Sequence, residues 1–297
     1  MKTGIASTMR AYALLVTFGL FTLLGISVHA RSSEVLIAAA GDIACDPDAT
    51  VPTGECKDAD TAKLITSRNP AVVLALGDNQ YSSGSLKDFL RAYDLTWGIL
   101  KNITFPTVGN HEYLSGSAQG YHDYFGSQAG GDRGYYAIDV NGWRLYSMNA
   151  ECDRINCDDE RVWMGADVNA NPRTCQLMFM HRPLYSSGGQ HSTFGQRFWV
   201  VGYNNKFELA LAGHEHRYER FAPMNPFGAV VADGIRSFTV GTGGKSLFRR
   251  GITAIGSEFR DNKNYGALFL KLRPASYDWE FRSTSGALID SGTGLCR

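Results

Sequence analysis

The sequence lacks several features that would assign it to a specialised class of protein. It has no excess of charge of either sign, because 29 Lys and Arg balance 29 Asp and Glu among 297 residues. It has no basic stripe, so nothing favours nucleic acid as a partner. No Pro/Ser-rich linker, charge run or internal repeat divides the chain. These absences favour one domain with one sizeable core.

The sequence also has no CxxC pair, so we do not expect a zinc site built from its cysteines. All six cysteines lie beyond residue 40. An even number of cysteines in an exported chain indicates disulfides rather than free thiols, although many pairings are possible. Closure of local loops favours the pairs Cys45–Cys56 and Cys152–Cys157, which leaves Cys175 to pair with Cys296.

Only one long hydrophobic run is present, over residues 11–28. Lys2 and Arg10 form a basic region in front of it, and Val28-His29-Ala30 is a small-x-small cleavage site. We therefore predict a signal peptide over residues 1–30 and a secreted catalytic domain over residues 31–297. The run is marginally long enough for an uncleaved anchor. We expect no stable association with a membrane after cleavage.

Three apolar runs end in glycine followed by Asp or Asn. They are residues 35–40 before Gly41-Asp42, residues 71–76 before Gly77-Asp78, and residues 103–108 before Gly109-Asn110. Helical patterns over residues 58–67 and 85–100 separate these runs, the second capped by Ser85. Strands that alternate with helices predict an α/β fold, in which ligands bind beyond the carboxyl ends of the strands.

Further strands are predicted along the rest of the chain. Residues 175–180 form an apolar strand that ends at His181, and residues 207–212 end at Gly213-His214-Glu215-His216. Residues 114–134 are predicted to form a loop with one short helix, and residues 186–195 a Gly/Ser loop that carries His191. Substrate choice is expected to depend on loops over residues 114–134 and 186–206. His122, in the first of them, is interpreted as a packing or surface residue.

The polar residues at the predicted strand ends share one kind of chemistry. They are Asp42, Asp78, Tyr81, Asn110, His111, His181, His214 and His216. Mixed carboxylate, amide and imidazole ligands suit iron, zinc or manganese. A carboxylate between two ions can bridge them, and ions about 3.5–4 Å apart can clamp the attacking and leaving oxygens of a displacement.

The ordered motifs around these residues resemble those of a known superfamily. They are Asp42-x-Ala44, Gly77-Asp78-x-x-Tyr81, Gly109-Asn110-His111-Glu112, His181-x-Pro183 and Gly213-His214-x-His216. This combination is similar to the calcineurin-like metallophosphoesterases, and Tyr81, three residues after Asp78, narrows the resemblance to the small purple acid phosphatases. The resemblance implies an α/β fold that is a four-layer α/β/β/α sandwich in a single domain.

The resemblance also implies a set of metal ligands. Fe(III) would be bound by Asp42, Tyr81 and His216. The second metal, which is Fe(II), Zn(II) or Mn(II), would be bound by Asn110, His181 and His214. Asp78 would bridge the two metals. Outside this set, His111 would contact substrate and His191 would contact the phosphate and protonate the leaving group.

We therefore expect a secreted, metal-dependent phosphoric ester hydrolase of the acid phosphatase type. The resemblance implies hydrolysis of small-molecule phosphate monoesters by attack of metal-bound hydroxide, with an acid optimum if Tyr81 selects ferric iron. One alternative is a phosphodiesterase or nucleotidase of the same superfamily. Another is a secreted non-catalytic binding protein on a degenerate phosphatase scaffold. The sequence argues against this alternative, because no predicted ligand position is substituted.

Overall fold

Two β-sheets form the centre of the fold in the residues that the computed structural model describes, which are Met1 and residues 34–50, 52, 54–249 and 251–297. The predicted signal peptide, apart from Met1, lies outside these residues. In the described ranges, no helix is both long and apolar enough to cross a membrane.

The first sheet has six strands in the order β13-β12-β11-β1-β2-β3. The strands are β1 (Val35–Ala40), β2 (Val72–Leu76), β3 (Thr104–Thr107), β11 (Gly266–Arg273), β12 (Ser276–Ser283) and β13 (Leu288–Leu295). Strands β1, β2 and β3 are parallel, whereas β11 to β13 form an antiparallel extension that begins beside β1. The parallel part has the strand direction that the alternation of strands and helices predicts.

The second sheet has seven strands in the order β10-β8-β9-β7-β6-β5-β4. The strands are β4 (Tyr136–Val140), β5 (Trp143–Ser147), β6 (Cys175–Met180), β7 (Leu209–Ala212), β8 (Tyr218–Phe221), β9 (Arg236–Val240) and β10 (Ser257–Asp261). Strands β5, β6, β7 and β9 are parallel neighbours.

The core lies on both faces of each sheet. In β6, Leu177 and Phe179 pack in the cluster shared by the two sheets, whereas Met178 and Met180 pack in a second cluster under the outer helices. Because successive side chains of a strand point to opposite faces, an apolar run without alternation must be covered on both sides. This packing gives the predicted four-layer α/β/β/α sandwich.

Helices cover the outer faces of both sheets. The first sheet is covered by helix Asp58–Arg68 and by a helical run over residues 86–103, and the second by helices Cys157–Ala170 and Gln196–Asn204. The run has α-helical turns at Leu86–Asp88 and Asp94–Thr96, a π-helical turn at Phe89–Tyr93 and a 3₁₀ helix at Trp97–Ile103. Shorter helices are Glu112–Ser115, Gln119–Phe125, Gly126–Ala129, Gly131–Arg133 and Thr193–Gly195.

Two predictions about local structure have different outcomes. The predicted cap is confirmed, since the Ser85 hydroxyl accepts the backbone N–H of Asp88 at 3.2 Å. The prediction of one loop over residues 186–206 is wrong, because helix Gln196–Asn204 occupies its second half. Phe198 and Trp199 of that helix are buried against the second sheet and form its apolar stripe. The Gly/Ser-rich residues 186–195 precede the helix.

The three predicted disulfides are confirmed. They are Cys45–Cys56, Cys152–Cys157 and Cys175–Cys296, and no described cysteine is free. The third joins the start of β6 to the C-terminal end of the chain, 121 residues further on. It ties the antiparallel extension of the first sheet to the second sheet.

The carboxyl edges of the two sheets meet at one place. The N–H of Gly41, which follows β1, donates to the carbonyl of Val240 at the end of β9, at 2.9 Å. In the second sheet, the N–H of Gly213, which follows β7, donates to the carbonyl of His181 at 2.9 Å. The loops that leave both sheets are therefore joined, and the predicted ligands lie on these loops.

Candidate metal centre

Three of the predicted ligands have a left-handed backbone. Asp42, Asp78 and His214 follow β1, β2 and β7 with φ values of +59°, +45° and +69°. Such conformations are uncommon for residues other than glycine and concentrate at functional sites, where the surrounding structure holds them. Each residue turns the chain sharply at the end of a strand and directs its side chain towards the joined edges of the sheets.

Gly77 shows why the turn after β2 needs glycine. Its φ is +80°, and a Cβ atom at this position would lie 2.6 Å from the imidazole of His181. Any side chain would therefore displace the ring of a predicted ligand. The glycine that precedes Asp78 is required by this close approach as well as by its backbone conformation.

One group of donors converges on the hydroxyl of Tyr81. Tyr81 Oη lies 2.9 Å from Asp42 Oδ1, 3.0 Å from Asp78 Oδ2 and 3.0 Å from His216 Nε2. His216 Nε2 also lies 3.2 Å from Asp42 Oδ1. All four side chains are buried, so these polar atoms face one another rather than solvent.

A second group converges on the imidazole of His181. His181 Nε2 lies 3.2 Å from Asp78 Oδ2, 3.2 Å from Asn110 Oδ1 and 3.1 Å from His214 Nδ1. One ligand atom from each of Asp78, His181 and His214 lies within 4.8 Å of the others. This spacing is suitable for a cation between the three residues.

The two groups share one atom, Asp78 Oδ2. This oxygen faces Tyr81 Oη on one side and His181 Nε2 on the other. The phenol of Tyr81 has a single proton, yet it faces two carboxylates and an imidazole. A cation in each group would pair with these oxygen and nitrogen atoms, so the donor set fits two metal ions with Asp78 between them.

The electrostatics of the metal-free protein agree with this fit. Burial alone would lower the pKa of His181, but the charge of Asp78 beside it raises that pKa to about 10. Burial, together with the charge of His181, lowers the pKa of His214 to about 3. A metal ion must therefore displace a proton from His181, so we expect metal binding to release protons and to strengthen as pH rises.

Glu112 is a buried residue without a predicted role. Its carboxylate accepts the backbone N–H groups of Asn79 at 2.8 Å, Gln80 at 3.2 Å and Gly109 at 2.7 Å. Burial, and then the charge of Asp78, raise the pKa of Glu112 to about 8. Glu112 thus joins the loops after β2 and β3, which carry Asp78 and Asn110. Its place beside His111 in the motif Gly109-Asn110-His111-Glu112 is the sequence signal for it.

Further groups orient the histidines from outside. The Nδ1 atoms of His181 and His216 lie 2.9 Å and 2.7 Å from the carbonyls of Leu76 and Ser246, which fixes the orientation of both rings. His214 Nε2 lies 3.3 Å from Arg182 Nη1.

Arg182 is itself held by a carboxylate. Its Nε and Nη2 atoms lie 2.9 Å and 2.8 Å from Oε2 of the buried Glu151. The sequence carries no periodic or motif signal for this pair, because Glu151 and Arg182 come from loops after different strands. Their contact depends on the packing of β5 beside β6.

The two predicted catalytic histidines have different positions. His111 lies at the centre: its ring centroid is 4.3 Å from that of Tyr81, its backbone N–H donates to Asp78 Oδ1 at 2.9 Å, and its side chain is 28% exposed. His191 is exposed and lines a shallow hollow with Leu184 and Met224. Within the described part of the chain, His191 makes no hydrogen bond or ion pair to another predicted site residue.

Comparison with known proteins agrees with this geometry. The family model described as calcineurin-like phosphoesterase matches residues 35–218, which is more than half of the chain. The chain belongs to this family. The family places it among the metal-dependent phosphoric ester hydrolases. No curated protein matches the chain.

Solved structures share the fold at low sequence identity. The purple acid phosphatase PPD1 from yellow lupin seeds matches with a TM-score of 0.67 and 20% identity, over 89% of this chain and 54% of its own. GAP50, the anchor in the inner membrane complex of Plasmodium, matches with a TM-score of 0.65 and 15% identity, over 89% of each chain. PhoD matches with a TM-score of 0.61 and 10% identity, over 89% of this chain and 70% of its own. The chain thus spans about half the length of the lupin enzyme.

Proposed function

We propose that this protein is a secreted dimetal phosphatase of the purple acid phosphatase type, which hydrolyses phosphate monoesters. The observation that carries the proposal is the position of Asp78 Oδ2 between Tyr81 Oη and His181 Nε2, at 3.0 Å and 3.2 Å. A carboxylate oxygen in this position suits a bridging ligand between two ions. The tyrosine distinguishes this donor set from one made only of Asp, Asn and His.

The proposed ligands divide between two ions. Asp42, Tyr81 and His216 would hold Fe(III), and Asn110, His181 and His214 would hold Fe(II), Zn(II) or Mn(II). Asp78 would be shared by the two ions. When bound, the ions supply an activated water and neutralise charge on the phosphoryl group. The phenolate of Tyr81 is a hard anionic donor, which favours a trivalent ion over Zn(II) or Mn(II).

His111 positions the phosphate in this proposal. Its ring lies against Tyr81 and is partly exposed, so one face is accessible to a substrate at the centre. The carbonyl of Ser82 lies 2.5 Å from Nδ1 and fixes the ring. Nε2, which lies 3.8 Å from Asp78 Oδ2, donates to a phosphate oxygen when the imidazole carries a proton on both nitrogens.

His191 protonates the leaving group in this proposal. Its support is the anchoring of its loop: the N–H of the preceding residue, Gln190, donates to Glu215 Oε1 at 2.6 Å. Glu215 is buried between His214 and His216 in the sequence, and a Cβ atom on Gly188 would overlap its carboxylate. Proton donation of this kind contributes about 10²–10⁴-fold to the rate.

Export of the protein is part of the proposal. Three disulfides are typical of proteins from oxidising compartments, and they support the predicted signal peptide over residues 1–30. Amino-terminal sequencing of the protein recovered from the culture medium tests this part. We expect the mature chain to begin at Arg31.

The enzymatic proposal is tested with purified mature protein loaded with iron and zinc. We expect turnover of an aryl phosphate monoester, with much slower turnover of the corresponding diester. Faster turnover of the diester would instead support a phosphodiesterase. A metal-loaded protein that hydrolyses no phosphate ester would contradict the proposal and support a binding protein on a phosphatase scaffold.

A further inference from the structure

A hollow lined by three arginines lies next to the metal centre. Its volume is about 270 Å³. Its lining residues are Arg217, Arg249, Gly251, Arg260 and Asn262, and we refer to it as the arginine hollow. None of these residues belongs to the predicted site.

The pairing of β8 with β10 brings part of the hollow together. Asp261 is opposite Tyr218 in this antiparallel pair, and Arg260 is opposite Glu219. Residues opposite each other share a face of the sheet, and so do residues two apart in one strand. The register therefore places Arg260 near Arg217, which immediately precedes β8.

The hollow is joined to the metal centre at two points of the backbone. Arg217 directly follows His216, and Arg249 directly follows Phe248. The ring of Phe248 stacks on the imidazole of His216, with centroids 4.0 Å apart and planes inclined by 12°. The N–H of Phe248 also donates to the carbonyl of His216 at 2.8 Å. Since consecutive Cα atoms are about 3.8 Å apart, both arginines begin one residue away from this stacked pair.

The charge of the hollow is positive. Arg217 lies 3.6 Å from the carboxylate of Glu215. In the described ranges, no carboxylate lies within 4.0 Å of Arg249 or Arg260, and Arg260 donates to the hydroxyl of Thr253 at 2.6 Å. Both arginines are exposed, so their charge is accessible to a ligand in solution.

The positive charge continues towards the metal centre. Lys245 lies on the same segment as Arg249, and its Nζ atom lies 4.9 Å from the centroid of the Tyr81 ring. The segment from Lys245 to Arg249 therefore carries one cation over a predicted iron ligand and another into the hollow. A surface with this distribution attracts anions and raises their local concentration.

We propose that the arginine hollow is a subsite for a second phosphate group of the substrate, an inference that rests on the proposed phosphatase function. The preferred substrates are then phosphate esters whose leaving group carries a further phosphate. The planar guanidinium matches the geometry of a phosphate and can bind it through two parallel hydrogen bonds. The hollow is smaller than the roughly 300–1,000 Å³ typical of pockets for whole drug-sized ligands, which suits one anionic group.

The test compares two substrates that differ by one phosphate, glucose 6-phosphate and glucose 1,6-bisphosphate. For the metal-loaded wild type we expect kcat/KM to be about tenfold higher for the bisphosphate, as two charge-assisted contacts can supply. Arg249→Ala and Arg260→Ala should each reduce kcat/KM for the bisphosphate about threefold, and the double variant should remove the preference. Turnover of glucose 6-phosphate should stay within about twofold of the wild type in every variant.

Arg161→Ala is the matched control, because Arg161 is an exposed arginine of helix Cys157–Ala170 and lies outside the hollow. It should leave both values of kcat/KM unchanged. A wild type that hydrolyses the two esters equally well would overturn the subsite. A double variant that keeps the preference for the bisphosphate would overturn it as well.

A direct binding measurement separates the failure of the subsite from the failure of the proposed function. A wild type that hydrolyses neither glucose ester leaves the hollow to be judged by calorimetric titration with glucose 1,6-bisphosphate, and it contradicts the phosphatase only if the aryl phosphate is not hydrolysed either. Binding that the double variant abolishes would support the subsite. Absence of binding to the wild type, or equal binding to both proteins, would overturn it.

Discussion

Tyr81 Oη lies 3.0 Å from Asp78 Oδ2, and the two residues are three positions apart in the chain. This pair joins the two groups of donors, because Asp78 Oδ2 also faces His181. Burial, and then the charge of Asp42, raise the pKa of Tyr81 well above its usual range in the metal-free protein. The phenol therefore becomes a phenolate only when a cation replaces its proton.

The first prediction concerns this phenol. Iron-loaded wild type should show a visible charge-transfer band from phenolate to Fe(III), and Tyr81→Phe should lose it, because the substitution removes only the oxygen. Tyr135→Phe is a suitable control, since Tyr135 packs against Trp163 away from the centre. A colourless iron-loaded wild type, or an unchanged band in Tyr81→Phe, would leave a generic metallophosphoesterase and remove the reason to expect an acid optimum.

The second prediction concerns the other group of donors. Asn110→Ala and His181→Ala should each reduce kcat on an aryl phosphate by more than about 100-fold, because loss of a ligand exceeds the 10–100-fold effect of outer partners. Elemental analysis should show fewer than two bound metals per chain. Circular dichroism should show an intact fold. Retention of both metals and of full activity in either variant would exclude that residue as a ligand.

The third prediction uses Glu112. Glu112→Gln keeps the size of the side chain but weakens acceptance of the three backbone N–H groups that join the loops carrying Asp78 and Asn110. We expect a 10–100-fold loss of metal affinity or activity, as for other outer partners. Asp123→Asn, at an exposed carboxylate on helix Gln119–Phe125, is the control and should have no effect. Metal affinity equal to the wild type in Glu112→Gln would show that Glu112 does not position the loops.

The fourth prediction concerns the disulfide between Cys175 and Cys296. The paired replacement Cys175→Ala and Cys296→Ala opens a loop of 121 residues and should lower the free energy of unfolding by about 4–5 kcal/mol. The corresponding replacement of Cys152 and Cys157, only 5 residues apart, should cost about 2 kcal/mol. Denaturant unfolding measures both values. Equal losses for the two pairs would contradict the dependence on loop length.

The fifth prediction is a pH dependence that does not involve the metal centre. Burial raises the pKa of Glu160 well above its usual range, and its Oε2 atom has no hydrogen-bond partner among the residues that the structure describes. The folded protein therefore binds more protons at Glu160 than the unfolded chain does above the usual carboxyl pKa, so stability falls as pH rises through that window.

Glu160→Gln removes this penalty, because the amide keeps an acceptor for the Asn149 N–H and carries no charge. We expect the variant to gain about 1–3 kcal/mol over the wild type at pH 8 relative to pH 5, measured by thermal unfolding at each pH. Asp159→Asn, at the exposed neighbouring position, is the control and should show no such trend. A constant difference between Glu160→Gln and the wild type across this range would contradict the assignment.

Chemistry that is local in the chain could be predicted from the sequence. An apolar run that ends in glycine and a polar residue specifies both the strand and the turn after it, as at Gly77-Asp78, because steric limits on the backbone act within a few residues. The meeting of the predicted ligands at the carboxyl ends of the strands follows from the parallel order of those strands. The sequence alone therefore predicts which residues lie around Tyr81 and His181, although it does not give their distances.

Only the tertiary structure decided which distant groups meet. Arg182 and Glu151 meet because β5 and β6 are neighbours, and Phe248, the residue before Arg249, stacks on His216 although the two are far apart in the chain. Strands β8 and β10 are short and partly polar, so their periodicity is weak, and their pairing forms through contacts far apart in the chain. Such contacts depend on the packing of whole sheets, which no local pattern of residues encodes.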